Sequence, residues 1–82
     1  MNNVYSTEQF YLAITAICKG FPIEKIYINP QSGQAEFHFI EDAPFREFLE
    51  SYRKRKVFVE AQSHFEAYKS LKNTLNEMKR NY

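Results

Sequence analysis

One thiol and two imidazoles are the side chains of this 82-residue chain best suited to nucleophilic or metal chemistry. Their setting speaks against both. Cys18 falls in the last turn of an apolar stretch, where a thiol ordinarily fills core. A reactive cysteine needs a cationic, partly exposed site. His38 and His64 stand 26 residues apart, without a Cys-x-x-Cys or His-x-x-x-His partner. Zinc needs three or four ligands at recognisable spacings. Glu41-Asp42 reads as a helix start. Gly20 and Gly33 have turn duties, which leaves no glycine loop to cradle a phosphate. The residues therefore point to a non-enzymatic protein with no catalytic centre, cofactor, metal or small-molecule substrate.

What remains is charge. Arg53-Lys54-Arg55-Lys56 is an unbroken basic run. Four adjacent cations repel one another, and a polyanion relieves that cost by releasing counterions. Lys69 and Lys72, followed by Lys79 and Arg80, continue the positive charge along the chain's last segment. Residues 1–52 hold three basic and seven acidic side chains, a net of −4, whereas residues 53–82 hold eight against three, a net of +5. Such asymmetry either offers a basic face to nucleic acid or lets an acidic half meet a basic half. Tyr27 and His38, on the polar side of a hairpin, add base-stacking surface. The ordinary alternative is a solvated connection carrying helix-end charges. No helix-turn-helix is visible, because a hairpin separates the first two helices.

The elements that carry these residues follow from periodicity. Ser6 with Gln9 matches a capping box, with Tyr5 and Phe10 as its hydrophobic staple, and opens a first helix. Phe10, Ala13, Ile14 and Ile17 form its inner stripe, widened by Tyr11, Leu12 and Ala16, so this helix must be covered on two sides. Gly20 ends it, Phe21 folds back on Ala16, and Pro22 prevents continuation. Glu24–Asn29 and Gln34–Ile40 alternate around Pro30-Gln31-Ser32-Gly33, which predicts a β-hairpin with Ile26, Ile28, Ala35, Phe37 and Phe39 on one face. Asp42 caps a second helix, with Pro44 in its first turn and Phe45, Phe48, Leu49 and Tyr52 along its inner side. Residues 56–59 are read as a break, either a short third strand or an edge addition. One continuous helix is the alternative, weakened by the β-branched residues.

The last helix begins near Glu60. Ala61, Phe65, Tyr68, Leu71, Leu75, Met78 and Tyr82 form its apolar stripe. The half from Ala61 to Leu71 is expected to close the core. Leu75, Met78 and Tyr82 extend past it as an interface. A chain this short has one domain, residues 1–82, of marginal stability, which a homodimer would raise. A single cysteine, no signal-peptide pattern and no apolar run approaching the roughly 20 residues of a membrane span indicate a cytoplasmic protein. A membrane-surface role for the basic last helix ranks third.

Tyr5-Ser6-Thr7, Leu12-Ala13, Gly20, Phe37-His38-Phe39, Tyr52, Val59 and Leu71-Lys72 occur in an order that resembles a small, functionally uncharacterised domain family of Gram-positive bacteria and their phages. The resemblance brings no catalytic residues and implies a DNA-related or regulatory role. Where that family has a turn-like linker before Val59, this chain has Arg53–Lys56. The reading is a small α+β domain: helix, hairpin, helix, extended segment, long amphipathic helix. Its expected function is nucleic-acid contact by a dimeric binding module. The alternative is a protein–protein adaptor or oligomerisation module with no nucleic-acid partner.

Overall fold

The computed structural model describes residues 3–80. Its elements are β1 (Asn3–Thr7), α1 (Phe10–Cys18), β2 (Lys25–Ile28), β3 (Ala35–Glu41), α2 (Ala43–Arg53) and α3 (Ala61–Arg80). The α+β class, the hairpin and the long terminal helix agree with the sequence reading. The strands form one antiparallel sheet in the order β1-β3-β2.

β1 is the main departure from expectation. Ser6 and Thr7 do not open a helix: they lie in this strand, and α1 starts at Phe10 without a side-chain cap. Five residue pairs join β1 to β3, from Asn3↔Glu41 to Thr7↔Phe37. That ladder buries Thr7 and covers Tyr5, which a two-bond capping box cannot match. The Thr7 hydroxyl instead accepts from the Gln9 N–H at 3.1 Å, turning the chain toward the helix.

Strand alternation sorts the sheet into two faces. Tyr5, Thr7, Ile26, Ile28, Phe37 and Phe39 point inward by register. Val4, Ser6, Lys25, Tyr27, Glu36, His38 and Ile40 form the outer face. β2 pairs with β3 from Lys25↔His38 to Ile28↔Ala35. The turn between them holds Gly33 at φ 75°. Asn29 Oδ1 accepts from the N–H groups of Gln31 (2.9 Å) and Ser32 (3.4 Å).

α1 contacts both β1 and α3, and Leu12 through Ala16 are all buried. This is the double cover its all-round apolar character requires. Phe10 bridges the two layers, with ring centroids 6.1 Å from Phe37 and 5.6 Å from Tyr68. Gly20 at φ 90° ends α1, and the Phe21 N–H returns to the Ala16 carbonyl at 3.0 Å. Asp42 caps α2 by accepting from the Phe45 N–H at 3.0 Å. Phe45, fully buried, sits amid Tyr5, Phe21, Phe39 and Phe48, with centroids 5.2–5.7 Å away.

Residues 56–59 are neither strand nor helix. The break before the last helix is present, but the third strand comes from the N-terminus. Val57 and Val59 are half-buried, while Phe58 between them is 81% exposed. Glu60 then starts α3, its carboxylate accepting from the Ser63 N–H at 2.6 Å. That bond first, then hydrogen bonding from the Ser63 side chain and the Gln62 backbone, holds the Glu60 carboxyl below its ordinary range.

Candidate anion-binding cleft

The basic run forms the end of α2 and the turn that follows. The N–H groups of Lys54, Arg55 and Lys56 donate to the carbonyls of Glu50 (3.1 Å), Tyr52 (3.0 Å) and Ser51 (2.9 Å). This tight closure puts Arg55 at φ 58°, the left-handed conformation usually left to glycine. All four side chains are exposed, but the turn sends them to different places. Arg53 and Arg55 line one cleft of about 590 Å³. Lys56 lines another, of about 440 Å³, together with Lys19, Glu47 and Phe58. Lys54 pairs with Glu50 at 3.0 Å on the exposed side of α2.

The larger cleft collects residues from the whole chain. Tyr5 comes from β1, and Gln9, Leu12 and Thr15 from α1 or its entrance. Tyr52 comes from α2, Val57 and Val59 from the connector, and His64 from the first turn of α3. Tyr5 rests on Phe45 (5.5 Å) and Tyr52 on Phe48 (6.0 Å), so both rings are backed by the aromatic core. The Thr15 hydroxyl is engaged, donating to the Tyr11 carbonyl at 2.8 Å. Ion pairs among the described residues are His38–Glu36 and Lys54–Glu50, which leaves the guanidiniums of Arg53 and Arg55 without a carboxylate partner there. The arrangement is an amphiphilic cleft with two aromatic rings, aliphatic walls and two uncompensated cations. Sequence reasoning found the arginines and missed Tyr5, Gln9, Tyr52 and His64 as their neighbours. The signal for Tyr5 is the strand alternation of residues 3–7, which the capping-box spacing obscures.

Lys69 and Lys72 do not line this cleft. Each sits above a ring one turn back on α3, Lys69 over Phe65 (5.5 Å) and Lys72 over Tyr68 (5.4 Å). Lys72 also donates to the Tyr68 hydroxyl at 3.1 Å. Leu75 and Met78 are half-buried, and Leu75 packs on the core. Tyr82 lies outside the described residues. Within the far half of α3, Leu75 is thus partly covered by its own domain. The hairpin turn reaches this half of the helix: Lys79 shares clefts with Asn29, Pro30, Gly33 and Ala35. The uncovered ring on α3 is at the opposite end, where Phe65 is 57% exposed.

Burial raises the Cys18 thiol above its ordinary value; Lys19 opposes the shift and Glu60 adds to it. Among the described residues, no three His, Cys, Asp or Glu side chains are placed to hold a metal ion, and no helix is long and apolar enough to cross a membrane.

Residues 2–77 match the family described as Domain of unknown function (DUF5659). The chain belongs to that family. No curated protein and no solved structure matches it. The cleft of this DUF5659 domain draws all its lining residues from within the matched span.

Proposed function

We propose that this domain is a non-enzymatic binding module for nucleic acid, which it contacts through the turn Arg53–Lys56. The observation that carries the reading is the pair of guanidiniums without carboxylate partners, Arg53 and Arg55, lining one cleft with two tyrosines, three aliphatic side chains and the uncharged polar groups of Gln9 and Thr15 beside His64. Arginine forks match phosphate oxygens two at a time. Each phosphate engaged releases condensed counterions. Lys69 and Lys72, exposed along α3, extend the positive field.

The test is binding of fluorescent mixed-sequence DNA, duplex and single-stranded, across a salt series. Affinity is expected to fall steeply with salt. Each phosphate neutralised contributes about 0.7–0.9 to the slope of log K against log salt. Arg53→Ala with Lys54→Ala should make that slope shallower by roughly 0.7–0.9 through Arg53, with a smaller part from Lys54, which Glu50 already pairs. No binding at low salt overturns the reading.

A second reading, an oligomerisation module without a nucleic-acid partner, is favoured by Phe58 and Phe65, 81% and 57% exposed. Leu75 offers it less surface than its spacing suggests, since Leu75 packs on the chain's own core. Under this reading, light scattering at micromolar concentration gives twice the monomer mass, and a monomer at high concentration removes the homodimer.

A further inference from the structure

The cleft that holds Arg53 and Arg55 is too particular for a site that only attracts charge. A generic polyanion patch needs exposed cations and nothing more. Here two arginines share a concave space with two anchored tyrosine rings and the aliphatic walls of Leu12, Val57 and Val59. Its volume of about 590 Å³ lies within the roughly 300–1,000 Å³ of clefts that enclose a small-molecule-sized group. The turn adds a second, independent observation. At the C′ position of α2 a glycine would be free of steric strain, yet Arg55 occupies it at φ 58°. The chain keeps a long cationic side chain where the backbone favours none. Strain of this kind tends to collect at ligand-contacting positions.

Resting on the nucleic-acid reading, we infer that the cleft takes a single unpaired nucleotide, so that the module prefers single-stranded nucleic acid to duplex. Arg53 and Arg55 meet the phosphate, and the base lies against the rings of Tyr5 and Tyr52. A base in a duplex is stacked and paired and cannot enter a concave site without being extruded. An unpaired base enters at little cost, and aromatic stacking accepts any base. Arg53, Tyr52 and Arg55 come from one short stretch, and β1 brings Tyr5 to them.

The experiment compares a short oligothymidylate with a mixed-sequence duplex at one salt concentration, using the full chain. Wild type should bind the single strand at least about tenfold more tightly, the scale of one base–aromatic stack. Amide resonances of Tyr5, Gln9, Val57, Val59 and His64 should shift as it binds. Arg55→Gly deletes the side chain and is expected to relax the backbone, and its urea midpoint, measured alongside, separates a lost contact from unfolding. It should weaken single-strand binding by about tenfold, whereas Lys54→Ala, the same charge change outside the cleft, should weaken it about threefold or less. Equal affinity for the two probes, or equal weakening by R55G and K54A, overturns the cleft and leaves nucleic-acid binding standing. No binding of either probe overturns both.

Discussion

Arg55 shows how a single residue can be placed against its own backbone preference. A non-glycine side chain in the left-handed region costs on the order of 1 kcal/mol. Arg55→Gly is therefore expected to raise the unfolding free energy by roughly 0.5–1 kcal/mol in urea denaturation, partly offset by the freer unfolded chain. Unchanged or lower stability would mean the turn is not strained. Phe45 is the opposite case, a residue whose every contact favours its place. It is fully buried against four other rings. Phe45→Ala should cost about 3–5 kcal/mol, which for a domain this small leaves little folded protein. Cys18 is read through its protonation. Burial raises its thiol, so at neutral pH it should react with iodoacetamide more slowly than a free cysteine. A rate equal to that of the unfolded chain would contradict the half-buried placement.

The elements differ in how locally they are specified. α2 carries its own instructions: a capping aspartate, a proline at its start and an apolar line three and four residues apart. Asp42→Ala should cost about 1 kcal/mol, seen as a lower midpoint in thermal or urea unfolding. α3 depends on Glu60 for its first turn, and that dependence is on pH. The folded-state pKa of Glu60 lies below its unfolded value. The stabilisation is therefore present above the unfolded value and is lost as pH falls through the folded one. Glu60→Gln should flatten stability against pH in that acidic window and change little else, and an identical pH profile for both proteins would dismiss the cap. β1 depends wholly on a distant partner. Val4, Tyr5 and Thr7 have strand-compatible side chains, but an isolated strand has no ladder, so the residues themselves are equally compatible with a helix start.

At the scale of the whole molecule, one sheet face is covered and the other is left to solvent. β3 is central, β1 and β2 are edges, and the three helices add to the core on the inner face. α1 fills the middle, which is why its sequence is apolar almost all round. The same arrangement sets the charge pattern. Because the chain reverses direction at Arg53–Lys56, a run that is continuous in sequence divides in space. Two arginines line one cleft, one lysine lines another, and one lysine pairs with α2. The cleft forms only when β1, α1, α2 and the start of α3 are all in place, so ligand binding should be coupled to global stability. In hydrogen exchange, saturating oligothymidylate should slow the amides of β1 and α3 together, not those of the basic turn alone.

The sequence by itself determined whatever depends on nearest neighbours. The hairpin is readable because alternation and the Asn29–Gly33 turn chemistry agree. The ends of α1 and α2 are readable because Gly20 and Asp42 satisfy local backbone groups. The break before α3 follows from the β-branched pair Val57 and Val59. Tertiary structure alone decided what depends on pairing across the chain. Five register pairs with β3 override the Ser6–Gln9 box and make β1 a strand. Packing of Leu75 on the core, with Phe65 left exposed, is likewise a tertiary outcome that the apolar stripe alone does not distinguish. The cleft is the clearest case: its arginines were visible as charge, but Tyr5 and His64 are brought beside them only by folding. Backbone hydrogen bonds between distant strands and the packing of a helix on two sides have no signature at short range, and they place the residues on which the proposed function rests.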